Sequence, residues 1–253
     1  MEESGPKHKG FYILPNLLTT ASMFSGFWGI LAAVEGRFEL CAVCILASCF
    51  FDGMDGKVAR MTGTGSDFGI QFDSLADLVS FGVTPAVMTY LWQTHELGRL
   101  GITTSFLLIA CGALRLARFN VQSKQTSKKF FIGLPIPAAA CTLATLVLFC
   151  SYVPSVNISQ ALPWFTLILT LVLALLMVSQ VKYASFKEVE AIRAHPFTST
   201  GTVIFLFVLV ASEPKFFGFL FFMGYLVSGA VYSFLILPFR KDTNLRESSK
   251  ELS

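Results

Sequence analysis

Charge is what this 253-residue chain has least of. Asp, Glu, Lys and Arg together make up 14% of it, against about 25% in an average soluble domain. That shortage, with 54% hydrophobic residues, 26 phenylalanines and a mean hydropathy of +0.65, excludes an ordinary water-soluble globule and leaves a polytopic membrane protein. Histidine is nearly missing, with three in the whole chain and none clustered with another, which excludes a His-rich zinc or copper site. The six cysteines, at 41, 44, 49, 111, 141 and 150, all fall in apolar runs. Cys41 and Cys44 have no second pair to complete a zinc site, so the cysteines read as small buried hydrophobes. No internal repeat, low-complexity segment or soluble module interrupts the sequence. No cleavable signal peptide is expected either: the first ten residues are polar, and the apolar run that follows is long and has no small-residue cleavage site. The sequon at Asn157 is a pattern common by chance.

What is present is a series of apolar stretches near 20 residues, the length that crosses about 30 Å of hydrocarbon. Their placement predicts eight transmembrane helices, at 12–34, 38–60, 67–93, 100–118, 134–153, 162–180, 198–212 and 215–238. The expected organisation is a polar tail over 1–11, one transmembrane catalytic domain over 12–238 with its core at 52–77, and a charged tail over 239–253. With both termini on the cytoplasmic side, the outer loops hold only Arg37, Arg99 and Lys215 of the 19 Lys and Arg. That bias is what the positive-inside rule demands. The net charge of +3 suits anionic headgroups and phosphates rather than nucleic acid. Lys124, Lys128 and Lys129, in a cytoplasmic loop, read as contacts to anionic lipid.

Against this apolar background stand four aspartates. Asp52 and Asp55 are three residues apart, and Asp73 and Asp77 are four apart. Either spacing stacks two side chains on one face of a helix. A charge at the bilayer centre costs about 2.5–3.5 kcal/mol on insertion scales, so four together need a compensating partner. Lys57 and Arg60 supply two positive charges and leave a negative excess. Carboxylates alone indicate a hard cation, Mg2+, Mn2+ or Ca2+, held as one ion or a close pair. Arg60, two turns beyond Asp52, is placed to grip a phosphate. Gly56 clears space beside the aspartates, or lets helices pack as Gly26, Gly29, Gly53 and Ala59 also would. Thr64 and Ser66 lie in the turn between the two helices, where their hydroxyls would contact a nucleotide. Asn16 and Thr19, polar on the first span beside Pro15, either line the same pocket or cap the helix. Metal, phosphate-gripping arginine and a cytoplasmic opening together imply a phosphorylated substrate.

The order Asp52-x2-Asp55-Gly56-x2-Ala59-Arg60-x8-Gly69-x3-Asp73-x3-Asp77 resembles, without departure, the motif of the CDP-alcohol phosphotransferases. The flanking runs FDGMDGKVAR from Phe51, FDSLADLVSFGVTPA from Phe72, LRLARFN from Leu114 and FIGLPIPA from Phe131 are similar to the branch of that family whose acceptor is L-serine. The resemblance is strong over 10–140. It implies an integral membrane enzyme, of the inner or plasma membrane of a prokaryote, that takes CDP-diacylglycerol and L-serine and releases CMP. By the same resemblance Asp52, Asp55, Asp73 and Asp77 bind Mg2+ or Mn2+, and Asp77 doubles as general base. Gly56, Ala59, Arg60 and Ser66 contact the CDP moiety, and the enzyme is a homodimer.

Serine is a zwitterion, so its carboxylate needs a cation. Arg115 and Arg118, with Asn120 beside them, are the candidates on the fourth span; the plain alternative is that the arginines are positive-inside anchors. Glycerol 3-phosphate or inositol as acceptor, and an archaeal ether-lipid donor, remain open alternatives. A divalent cation transporter would need carboxylates spread through the membrane depth, whereas these four cluster near one face.

Overall fold

The computed structural model describes residues 13–62, 66–123, 131–153, 160–179, 181–183 and 212–231. Both expected tails, the seventh expected span apart from its last residue, Thr64, Asn157 and the three loop lysines lie outside the described residues.

The first hairpin shows how the helices are laid out. Helix α1 (Ile13–Val34) is a 22-residue apolar helix, and α2 (Phe38–Thr62) runs back alongside it. Gly36, at φ 76°, ends α1. Its N–H donates to Ala33 at 3.0 Å and that of Arg37 to Ala32 at 2.8 Å, the paired bonds of a Schellman stop, which an αL glycine makes possible. On α1 the large apolar side chains Leu17, Phe24, Trp28 and Leu31 are exposed. Thr19, Ser22, Gly26, Gly29 and Ala33 are buried. This is the packing of a helix in lipid, where small and hydroxyl side chains let backbones approach and apolar ones face the tails.

Hydroxyls then join α1 to its neighbours. Ser22 donates to the Ser48 carbonyl at 3.1 Å, and Ser48 donates to that of Ser22 at 2.9 Å. Ser25 donates to the Cys44 carbonyl at 2.9 Å.

Helix α3 (Asp67–Asp77) continues through a π-helical turn (Leu78–Val83) into α4 (Thr84–Trp92). The cause of the turn is Pro85, which has no N–H to give and whose ring would strike the carbonyl four residues back. The wider turn takes up the misfit: the Thr84 N–H reaches Val79, five residues back. The Thr84 hydroxyl lies 2.9 Å from the Val79 carbonyl and 3.0 Å from that of Gly26 on α1. Such turns are frequent at functional sites, and this one begins directly after Asp77.

After a short 3-10 turn (Thr94–Leu97) come α5 (Arg99–Ser123), α6 (Ile136–Tyr152), α7 (Leu162–Val178) and α8 (Pro214–Val231). Helix α6 is the core: Ile136, Leu143, Leu146 and Val147 are almost wholly buried. A purely helical chain was the expectation. The structure adds one two-residue antiparallel pair, β1 (Phe131–Ile132) with β2 (Lys182–Tyr183). It forms because Gly133, at φ 83°, turns the chain so that its N–H meets Val181 at 2.9 Å and that of Leu134 meets Leu176 at 3.1 Å.

Among the described residues, three segments are long and apolar enough to cross a membrane: Leu14–Val34, Asp67–Trp92 and Arg99–Val121. Helices α6 and α7 are apolar but shorter, at 17 residues each. At one end of the bundle Lys215 of α8 pairs with Glu39 of α2 at 2.9 Å. Thirteen residues further along α2, about 20 Å at helical rise, lies Asp52.

Close contact between α1 and the π-helical turn is testable. A Cβ on Gly26 would stand 2.7 Å from the Cα of Ser80, backbone that has nowhere to go. Gly26→Val is expected to cost about 1–3 kcal/mol of overpacking, read as a lower unfolding midpoint in detergent. Gly53→Ala, with nothing within 4 Å of the added methyl, should not lower the midpoint and is expected to raise it slightly, since Ala is the better helix former.

Candidate active site

Asp52 and Asp55 fall one turn apart on the second half of α2, on the side facing α3, which brings Asp73 to meet them. One carboxylate oxygen from each of Asp52, Asp55 and Asp73 lies within 4.8 Å of the other two. Asp55 is 6% exposed; Asp52 and Asp73 are half-buried. At an effective dielectric near 20, two unit charges at that separation repel by roughly 3.5 kcal/mol. Among the described residues no Lys or Arg closes an ion pair with them. The geometry fits a hard divalent ion. Oxygen ligands to Mg2+ or Ca2+ sit at about 2.0–2.6 Å, so two oxygens on opposite sides of one ion stand about 4–5 Å apart. Asp77 is outside this trio, and its carboxyl lies close to that of Asp52.

The remaining expected residues separate into two groups. Ser66 begins α3: in extended conformation (φ −125°, ψ 152°), it accepts the Gly69 N–H at 3.0 Å, a regular N-cap. Asn16 of α1 reaches the same corner, since a Cβ on Gly69 would lie 3.2 Å from Ser66 Oγ and 3.7 Å from Asn16 Oδ1. Asn16, Ser66 and Gly69 therefore form one small polar corner beside the aspartates. Gly56 and Ala59 are half-buried on α2, and Arg60 is exposed. The space expected to lie open over Gly56 is covered by Arg60, whose nearer guanidinium nitrogen is 3.5 Å from where a Gly56 Cβ would be. Thr19 is buried, with its hydroxyl 2.7 Å from Asp55 Oδ2.

On the other side α5 supplies Arg115, Arg118 and Asn120. Arg115 is within electrostatic reach of Asp77 at the α3 terminus and Tyr225 of α8, and its Nε is buried without a hydrogen-bond partner among the described residues. Arg118 is half-buried. Asn120 donates to Ser74 Oγ at 3.0 Å and to Gln71 Oε1 at 3.3 Å, so it ties α5 to the helix that carries Asp73 and Asp77.

Tyr225, Gln71 and the Thr19–Asp55 contact carry no signal in the sequence, because each depends on helices distant along the chain. Ser74, between the two aspartates of α3, could have been suspected from its position alone.

Fold and cluster together define an integral membrane protein with an acidic, oxygen-ligand centre set among its helices. A family model described as CDP-alcohol phosphatidyltransferase matches residues 12–172, and the chain belongs to that family. It is 41% identical over 181 residues to a Helicobacter pylori CDP-diacylglycerol–serine O-phosphatidyltransferase, covering 71% of this chain and 75% of the relative. A Methanocaldococcus jannaschii protein of the same description is 41% identical over 165 residues, covering 65% of this chain and 72% of its own. The archaetidylserine synthase of Methanothermobacter thermautotrophicus is 39% identical over 144 residues, covering 56% and 60%.

If the three converging carboxylates are ligands, removing any of them weakens metal binding. Asp52→Asn, Asp55→Asn and Asp73→Asn are each expected to lower Mn2+ affinity at least about tenfold, or 1.4 kcal/mol, measured by paramagnetic resonance of the free ion. Glu96→Gln, exposed and remote from the cluster, should bind as the unaltered protein does.

Proposed function

We propose that this protein transfers the phosphatidyl group of CDP-diacylglycerol to the hydroxyl of L-serine, giving phosphatidylserine and CMP. The observation that carries this reading is the 41% identity, over 71% of the chain, to a relative of that description, together with convergence of the motif aspartates at one point. Asp52, Asp55, Asp73 and Asp77 would hold Mg2+ or Mn2+, and Ca2+ has the same oxygen preference. Such an ion supplies charge neutralisation for the pyrophosphate and for departing CMP.

The chain's own residues do the rest. Asp77, at the edge of the trio, takes the proton of the serine hydroxyl as its oxygen bonds to the phosphorus bearing diacylglycerol and the phosphoanhydride bond to CMP breaks. With a reference pKa near 4 an aspartate is a weak base, so most of the acceleration comes from positioning. Arg60, beside Gly56 and Ala59, is placed for the CDP phosphates, and Asn16 and Ser66 for the nucleotide end. Arg115, half-buried within electrostatic reach of Asp77 and with a buried Nε that has no partner among the described residues, suits the serine carboxylate, and Arg118 lies one turn beyond it. Asn120, tied to Ser74 and Gln71, supports this wall.

The topology that goes with this function is one transmembrane catalytic domain over 12–238 with eight spans. Polar tails over 1–11 and 239–253 lie in the cytoplasm, and the site opens to the cytoplasmic side of a prokaryotic membrane. There the lipid donor and the water-soluble acceptor meet. A homodimer is the assembly we propose. The likeness to an archaetidylserine synthase favours a second reading for the donor alone, an ether-linked CDP-lipid with the same acceptor.

Purified protein with Mn2+ or Mg2+, CDP-diacylglycerol and labelled L-serine is expected to give phosphatidylserine and CMP in equal amounts. Product with inositol or glycerol 3-phosphate, and none with serine, would sink the assignment. Asp77→Asn should lower turnover about 10²–10⁴-fold, the usual worth of a general base, with CDP-diacylglycerol still bound. Arg115→Gln should raise KM for serine by about tenfold or more, the effect of losing 1.4 kcal/mol or more, with KM for the donor unchanged.

A further inference from the structure

We propose that Thr19 is a positioning residue of the aspartate centre, holding the Asp55 carboxylate in the orientation that a metal requires, rather than a wall of the nucleotide pocket. The proposal rests on the metal-binding reading of that centre.

Thr19 Oγ1 lies 2.7 Å from Asp55 Oδ2, a buried contact between residues 36 apart in sequence. The same oxygen lies 3.1 Å from the carbonyl of Pro15, four residues back on α1. A helical threonine has few rotamers, and one of them sets its hydroxyl against that carbonyl. The rotamer that sets the hydroxyl near that carbonyl also aims it at Asp55. A single proton goes to the shorter contact, where the acceptor is charged.

Helix α1 is itself held firmly at this level. One turn beyond Thr19, Ser22 exchanges two hydrogen bonds with Ser48 of α2, at 3.1 and 2.9 Å, and also receives the Ser80 hydroxyl at 3.1 Å. The hydroxyl of Thr19 is thus a fixed point relative to α2.

Asp55 needs one. Rotation of a carboxylate about its terminal torsion is soft and has no sharp minima. Its neighbours Asp52 and Asp73 stand within 4.8 Å, so in the absence of a hold their repulsion turns Asp55 away. Among the described residues no comparable hydroxyl reaches Asp52 or Asp73. Thr19 therefore keeps a mutually repelling set convergent before the ion arrives. Partners of this kind, which hold a metal ligand without touching the metal, are worth about 10–100-fold in affinity.

The test is Mn2+ binding to the purified full-length protein without substrates, followed by paramagnetic resonance. Thr19→Val, which keeps the shape and removes the hydroxyl, is expected to weaken binding about 10–100-fold, and Thr19→Ser to retain it. At saturating Mn2+ the KM for CDP-diacylglycerol should be the same in all three proteins. Unchanged Mn2+ affinity in Thr19→Val, or a raised donor KM at saturating metal, overturns the proposal and returns Thr19 to the nucleotide pocket. Equal loss in Thr19→Ser also overturns it, since the hydroxyl is then not the cause. Should valine not be accommodated, Thr19→Ala read against Thr19→Ser decides the same question by the same measurement. If the unaltered protein shows no saturable Mn2+ binding, the metal reading falls and this proposal with it. Saturable binding that Thr19→Val leaves unchanged removes this proposal alone.

Discussion

Three carboxylates within 4.8 Å of one another, in a chain otherwise built to face lipid, repel by several kcal/mol per pair at any reasonable protein dielectric. Folding has to bring them together against that repulsion, and the surrounding structure shows how. Helices α1 and α2 and the π-helical turn approach through Gly26, Ser22, Ser48 and Ser80, which are small enough for close backbones, and the three serine hydroxyls satisfy carbonyls across the contact. With little hydrophobic force between helices in a bilayer, such contacts have to come from packing and hydrogen bonds. The cluster is thus held from outside, by neighbours that are neutral.

The same constraint accounts for the distribution of polarity. Asn16, Thr19, Ser66, Asp73, Asp77 and Arg115 come from three different helices and gather at one end of the bundle, while the Glu39–Lys215 pair marks the other end. Between them the core around α6 is apolar. The π-helical turn after Asp77 belongs to this arrangement: Pro85 prevents a regular helix there, and the widened turn places Ser80 and Thr84 against α1.

Much of this was legible in the sequence because it depends on local periodicity. The bounds of the first six expected spans agree with helices to within about five residues, since an apolar run long enough to cross the hydrocarbon has to be helical there. The aspartate pairs were legible because spacings of three and four put side chains on one helical face. Other features were not legible. The guanidinium of Arg60 lies beside Gly56, 3.5 Å from where a Cβ would be, a side-chain placement that spacing alone does not fix. Asn120 is engaged by Ser74 and Gln71, a pairing between residues 46 and 49 positions apart that no local pattern encodes. The β1–β2 pair depends on Gly133 and on Val181, 48 residues later.

By itself, the sequence determined that the chain enters a membrane, that its acids form two helical pairs, and that their order and spacing are those of the CDP-alcohol phosphotransferases. These are properties of composition and of residues within a turn or two of each other. Only the tertiary structure decided that Asp73 joins Asp52 and Asp55 while Asp77 stands at the edge, that Thr19 faces Asp55, and that Arg115 comes within electrostatic reach of Asp77 and of the remote Tyr225. The physical reason is that a helix fixes the face a side chain occupies but not the helix it faces. That second choice belongs to the packing of small residues and hydroxyls at the contacts between helices.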